Sequence, residues 1–229
     1  MQPERDAILL YDYWRSSAAY RVRIALNLKR LDYTQVPVNL APGASEQHGG
    51  SYREINPQGL VPALIHEGRT VTQSLAICAY LDQVFPEPAL LPADPAGRAR
   101  VNAMALVVAC DIHPINNLRV QRYLKSELAA REGDVVTWMN HWMTEGFLAF
   151  EQMLQGGSAT GLCCHGDEPG LADCCLIPQV YNAERFGCDM ARFPTVVRIV
   201  AYCRALPAFA AAAPERQGDA PANGDAGRA

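Results

Sequence analysis

The sequence has no surplus of basic charge: 20 Lys and Arg stand against 24 Asp and Glu, a formal net charge of -4. Proteins that grip phosphate backbones or anionic lipids carry the opposite balance, so neither nucleic acid nor a membrane surface is expected as a partner. Long hydrophobic runs are also missing. The longest candidate, AMALVVAC, is bracketed by Asn102 and Asp111 and falls well short of the ~20 apolar residues of a spanning helix. The opening MQPERDAILL places charges where an export signal needs its apolar centre, and a cytoplasmic protein is expected. Metal-type C-x-x-C spacing is absent as well. The densest thiol segment, CCHGDEPGLADCC (163–175), has vicinal cysteines, which in a helix point about 100° apart and chelate one ion poorly. The eight cysteines therefore read as reduced, small apolar packing residues, and no metal is expected.

What is present is ample apolar material. Of 229 residues, 49% are hydrophobic, enough for one large core or two modest ones. From Ala7 the chain alternates β-like and helix-like runs. AILLYDYW reads as a strand, Ser16 to Leu31 as a helix and YTQVPVNL as a strand. SEQHGGSYREI is irregular and partly helical, LVPALIH and RTVTQ form a hairpin turned by EG, and Ser74 to Phe85 is a helix. The order is βαβ, a linking segment, then ββα. The Pro- and Gly-rich FPEPALLPADPAG then stops the last helix and prevents another before about Asp94. Beyond it the segments Pro95 to Leu128, Asp134 to Leu154, Leu171 to Phe186 and Pro194 to Leu206 carry helical apolar spacing. The expected division is an α/β domain over 7–86, an all-α bundle over 94–214, and a small, polar, mobile tail over 215–229.

Three places in the first half invite chemistry. Ser16 and Ser17 sit between a strand and a helix, where serine is a preferred N-cap; the same helix end also offers unpaired N–H groups that stabilise a thiolate or carboxylate. Pro62 lies inside a strand-like run, which requires an edge strand, a bulge or a cis peptide. Ser74 again opens a helix directly after a strand, so two helix N-termini stand ready for two ends of one anionic ligand. In the second half, Asp173 follows Gly170 by three residues and reads as a structural helix-capping acid.

The segments RSSAAYRVRIALNLK, NPQGLVPAL, QSLAI, PALLPADP, DIHPINNLRV, LADCCLIPQVYNAERF and FPTV resemble the zeta class of the glutathione transferases, and the likeness runs from about Ile8 to about Pro214. The resemblance implies a thioredoxin-like α/β N-terminal domain, an all-α helical-bundle C-terminal domain, a homodimer, and glutathione as cofactor. It implies cis–trans isomerisation of a small dicarboxylic diketo acid, either maleylacetoacetate or maleylpyruvate. By matching motif, the glutathione site falls on Ser16, Ser17, Ala18, Ala19, Tyr20 and Arg21, on Gln47, on Val61 beside Pro62, and on Gln73 and Ser74. The second domain adds His113, Asn117, Leu118 and Arg119. Arg15, Arg119 and Arg185 stand where related isomerases receive substrate carboxylates, and His113 either assists a proton transfer, contacts glutathione or serves structure. Ser16 is the expected main partner of the thiolate, with Ser17 second. One departure is clear: the motif's usual Ser-Ser-Cys ends here in Ala18, so no protein thiol is offered at that corner. The same site could also support glutathione conjugation, peroxide reduction or dehalogenation of α-halo acids, and a non-catalytic scaffold is the alternative of another class.

Overall fold

A computed structural model describes residues 7–221 of the chain. The first strand, β1 (Ile8–Asp12), buries alternate residues, Ile8, Leu10 and Asp12, as a half-covered strand should. Helix α1 (Ser17–Leu28) follows, buried along almost its whole length, and leads to β2 (Tyr33–Pro37). A single 3-10 turn (Glu46–His48) and the short α2 (Gly50–Ile55) occupy the linking segment. Strands β3 (Ala63–His66) and β4 (Arg69–Thr72) form the hairpin, and α3 (Ser74–Val84) closes the unit. The sheet order is β2-β1-β3-β4, with β1 and β2 parallel and the other neighbours antiparallel. Thus the expected βαβ–ββα order is present.

Asp12 puts a carboxylate on the buried face of β1, and burial of an unpaired charge would be prohibitive. Arg23 answers it from α1: Nη1 donates to Asp12 Oδ1 and Oδ2 at 2.8 and 2.7 Å, Nη2 to the Trp14 carbonyl at 2.9 Å, and Nε to the Ala212 carbonyl at 3.0 Å. That last bond ties the C-terminal segment to the α/β unit. The chain divides into residues 7–89 with 206–221, and residues 90–205, so the helical unit ends at Ala205 rather than at 214. Helix α9 (Pro207–Ala212) belongs with the α/β unit, where Asn27 also donates to the Ala208 carbonyl at 2.9 Å. Nor is residue 215 the start of a free tail: Gln217 donates to the Ala211 and Ala213 carbonyls, and Asp219 accepts the Trp14 amide at 3.0 Å. Residues 222–229 of the expected tail, and the charged residues 1–6 read against an export signal, lie outside the described residues.

The second unit begins after Asp94, whose side chain accepts the Gly97 amide and caps α4 (Pro95–Leu106). Sequence spacing predicted continuous helical character to Leu128. Instead α4 passes into a π-helical turn (Val107–Ile112), then a 3-10 turn (Pro114–Asn116), before α5 (Leu118–Ser126). Pro114 cannot donate to the ladder, which explains why the helix does not run through. The 24-residue α6 (Glu132–Gln155) forms the axis, burying Val135, Met139, Met143, Phe147, Phe150 and Leu154 at helical spacing. Gly146 is required there: a Cβ would fall within contact distance of Ile112 Cγ1. Helices α7 (Leu171–Arg185) and α8 (Pro194–Ala205) pack alongside. Buried Glu151 of α6 accepts the Thr195 and Val196 amides, both at 2.9 Å, at the N-terminus of α8. No described helix is long and apolar enough to cross a membrane.

Candidate active site

The sheet register gathers the first unit's expected site residues. Tyr11 pairs with Ala63, and Ala63 with Thr72, so the C-terminal end of β1, the N-terminal end of β3 and the C-terminal end of β4 lie side by side. Chain leaving these ends carries Ser16 and Ser17, Val61 and Pro62, and Gln73 and Ser74. Three separated segments of the sequence therefore meet at one edge.

Ser16 is the N-cap of α1, with extended backbone and Oγ accepting the Ala19 amide at 3.2 Å. A hydroxyl that accepts in this way still has its proton to donate outward. Ser17 is the first helical residue, half-buried, and its hydroxyl has no hydrogen-bond partner among the described residues. Beyond it Ala19, Tyr20 and Arg21 are buried and Ala18 is half-buried. Arg21, 2% exposed, donates from Nη1 to Ser74 Oγ at 3.3 Å and so ties α1 to the start of α3. Arg15 stacks on Trp14, its guanidinium carbon 5.3 Å from the ring centroid.

The Val61–Pro62 peptide is cis. Pro62 leads into β3, an inner strand, so the edge-strand reading is replaced by the cis one. The preceding Leu60 carbonyl is held by two donors, the Tyr52 hydroxyl at 2.7 Å and Asn56 Nδ2 at 2.6 Å. Burial pushes the Tyr52 phenol up to about 12, which keeps that donor protonated. Gln47 is buried and its Oε1 has no partner among the described residues. Gly59, with φ +63, comes so close to the Gln47 carbonyl that a Cβ would stand 2.8 Å from it.

Gln73 takes φ 70 and ψ 117, a conformation that a side chain rarely adopts, and its Nε2 donates to Gln58 Oε1 at 2.6 Å. Helix α3 has no side-chain cap, so its first amides are open to an anion. Gln58 and the Tyr52–Asn56 clamp are contributors that sequence reading missed. Their role lies in bonds to a neighbouring side chain and to a carbonyl, and neither leaves a motif.

In the second unit, His113 follows the π-helical turn and is half-buried, with its amide donating to the Val108 carbonyl at 2.9 Å. Asn117 caps α5, its Oδ1 accepting the Arg119 amide at 3.1 Å. Leu118 is half-buried and Arg119 exposed. Arg185 ends α7, 5.2 Å over the Phe186 ring, while Glu184 pairs with Arg204 instead. Helix α6 anchors each stretch separately: Trp138 Nε1 donates to the Ile115 carbonyl at 2.9 Å, and Asn140 Nδ2 to the Phe186 carbonyl at 3.1 Å.

A strand–helix corner with paired serines, a cis-proline strand and an uncapped second helix mark a thioredoxin-like α/β unit, followed in the chain by a helical unit. In agreement, residues 10–89 match the glutathione S-transferase N-terminal domain. The whole chain is similar to a probable maleylacetoacetate isomerase of Vibrio cholerae, 50% identical over 93% of this chain and 99% of the other. It is 44% identical to a maleylpyruvate isomerase of a Ralstonia species, covering 92% and 98%. Among solved structures, the holo form of a maleylpyruvate isomerase, described as a bacterial zeta-class glutathione transferase, superposes with a TM-score of 0.91 at 44% identity over 93% and 100%. A maleylacetoacetate isomerase of Methylobacterium extorquens with bound malonate and glutathione gives 0.89 at 42% identity over 93% and 100%. The chain belongs to the zeta class of the glutathione transferase family, the class of the maleylacetoacetate and maleylpyruvate isomerases.

Proposed function

We propose that the chain is a cytoplasmic, homodimeric, glutathione-dependent isomerase that converts maleylacetoacetate to fumarylacetoacetate in the breakdown of tyrosine and phenylalanine. The observation that carries this reading is the convergence, at one sheet edge, of the α1 N-terminus with its two serines and the uncapped N-terminus of α3. The first favours a thiolate and the second a carboxylate, two of the anionic groups that glutathione carries. The orphaned acceptor on buried Gln47 suits that ligand, which has amide and ammonium donors to offer.

Glutathione, when bound, would supply a thiolate for reversible addition to the cis double bond, which addition turns into a single bond free to rotate. The chain's part is to make that thiolate available. A thiol of pKa ~8.5 must fall by about two units, or about 2.7 kcal/mol of preferential stabilisation of its anion. A helix N-terminus contributes roughly 0.3–2 kcal/mol and a hydrogen bond to a charged acceptor roughly 1.5–3 kcal/mol, so the α1 dipole and one serine hydroxyl suffice together. Ser16 takes the main contact and Ser17 the second. Ala18 leaves no competing protein thiol. Residues Ala19 to Arg21 order the helix start; Gln47, Val61 and Pro62 hold the peptide backbone of glutathione, and Gln73 and Ser74 its γ-glutamyl end.

In the second unit, glutathione contacts are assigned to His113 and to the stretch Asn117, Leu118 and Arg119. Arg15, Arg119 and Arg185 receive the carboxylates of the diketo acid, since guanidinium groups bind carboxylates in two-pronged fashion and stay charged throughout. Maleylpyruvate is the second substrate to consider, favoured by the 0.91 superposition on an isomerase of that name. The deciding assay offers each cis acid to the purified chain with and without glutathione. Isomerisation that requires glutathione is expected, faster on maleylacetoacetate; a rate unchanged by omitting glutathione contradicts the proposal.

A further inference from the structure

The turn between α6 and α7, the first turn of α7 and the last turns of α8 bring together two thiols and a carboxylate that share no residue with the site assigned above. Cys163 Sγ, Cys203 Sγ and an oxygen of Asp173 all lie within 4.8 Å of one another, and the three residues are 0%, 0% and 1% exposed. We propose that they form a binding site for one thiophilic divalent cation, of the zinc type.

The donor chemistry selects the ion. Two sulfurs and one carboxylate oxygen suit zinc or cadmium and do not suit magnesium or calcium, which take oxygen ligands. Zinc holds sulfur at about 2.3 Å and carboxylate oxygen at about 2.0–2.2 Å, so tetrahedral donors stand roughly 3.5–3.8 Å apart. Cys203 Sγ is already 3.9 Å from Asp173 Oδ1, and the 4.8 Å span closes with small side-chain rotations.

The surroundings hold the donors in place. Asp173 Oδ1 accepts the Cys164 amide and Oδ2 the Gly170 amide, each at 2.9 Å. Oδ2 keeps a second lone pair, and the one by which Oδ1 accepts the Cys203 thiol is freed when that thiol loses its proton to a metal; amide donors of this kind orient a carboxylate ligand. The turn carrying Cys163 is itself fixed: the Cys163 amide donates to the Gly166 carbonyl at 3.0 Å, and the Leu162 amide to Asp167 Oδ1 at 2.9 Å. Charge also balances. A dication with two thiolates and one carboxylate carries one negative charge, and the Arg100 guanidinium, which donates to the Cys164 carbonyl at 2.7 Å, supplies one positive. On binding, each S–H bond breaks as a metal–sulfur bond forms, the protons pass to solvent, and no group is oxidised or reduced. The vicinal spacing that spoke against a metal does not apply, because Cys163 and Cys203 come from different segments. The bound ion would tie the turn and α8 to the start of α7.

Cadmium titration of the reduced, metal-free full chain tests this through the thiolate-to-cadmium charge-transfer absorbance. One equivalent per chain is expected, displaced by zinc, with affinity lowered more than about tenfold by Cys163→Ser and by Cys203→Ser but not by Cys110→Ser, which changes an exposed thiol. Absence of the band, or a band lost only with Cys110, overturns the proposal. Should either serine variant fail to fold, the unaltered chain gives the same answer. Under partial denaturation, one equivalent of zinc should shield Cys163 and Cys203 together from alkylation, as mapped by mass spectrometry; equal labelling with and without zinc overturns the site, as does a Cys163–Cys203 disulfide that persists in reductant.

Discussion

The two units bury charge in opposite ways. In the α/β unit three cations, Arg21, Arg23 and Lys29, are buried on α1 or at its C-cap, against one buried anion, Asp12. Arg23 donates from all three guanidinium nitrogens, and Lys29 Nζ reaches Asp82 Oδ1 at 2.8 Å and the Phe85 and Pro88 carbonyls at 2.7 and 2.8 Å. In the helical unit the buried ions are anions, Glu151 and Asp173, whose oxygens accept backbone amides at helix starts. The first arrangement knits distant segments together around the strand–helix corner. The second anchors helix starts, that of α8 through Glu151 of α6 and that of α7 through Asp173. The proposed glutathione site, which depends on three chain segments meeting at one edge, needs the first kind of support.

Breaking the Asp12–Arg23 pair should have the largest effect. Asp12→Ala leaves a buried guanidinium without its counter-charge, and a loss of about 3–5 kcal/mol is expected in denaturant unfolding of the chain. A double change of Asp12→Ala with Arg23→Met should recover part of that loss, since it leaves no unpaired charge. In the helical unit, Glu151→Gln keeps one acceptor but sets an amide against a backbone donor, so a smaller loss of about 1–3 kcal/mol follows. Gly146→Ala should cost a similar 1–3 kcal/mol by forcing Ile112 from α6. Either substitution matching Asp12→Ala in size would remove the contrast between the units.

Within the first unit, the clamp on the Leu60 carbonyl contributes least. Tyr52→Phe removes one donor from the Leu60 carbonyl while Asn56 remains, a loss of about 1 kcal/mol at neutral pH. The phenol titrates at about 12 in the folded chain against 10 when free, because burial disfavours its anion. A folded value above the unfolded one means that this contribution is complete below pH 10 and is lost as pH rises through about 12. The stability gap between the wild-type chain and Tyr52→Phe should therefore close over that interval, as followed by circular dichroism.

Much of this was legible in the sequence. Strand alternation, the Pro- and Gly-rich break before Asp94, the capping serine and the proline in LVPALI each leave a local signature, and the structure reproduces the βαβ–ββα order with a helical unit after it. Asp173 likewise reads as a capping acid three residues after Gly170, and it does accept the Gly170 amide. What the sequence could not reveal depends on backbone acceptors. Helix α9, PAFAAA, shows no helical apolar pattern, and it joins the first unit because Arg23 and Asn27 donate to its carbonyls. The π-helical turn before His113 was hidden for the same reason, since its apolar residues alone match an ordinary helix. The Cys163–Cys203 approach joins residues 40 positions apart, which no spacing rule addresses.

The claim on which the proposed mechanism rests is that the α1 corner ionises a bound thiol. Ultraviolet titration of glutathione bound to the chain measures this directly, in the wild-type protein and in Ser16→Ala. The bound thiol is expected about two units below the free value of ~8.5, raised by about 1–2 units in the variant, the equivalent of one hydrogen bond to a charged acceptor. A bound thiol that titrates like free glutathione, or one that Ser16→Ala leaves unmoved, would contradict that claim.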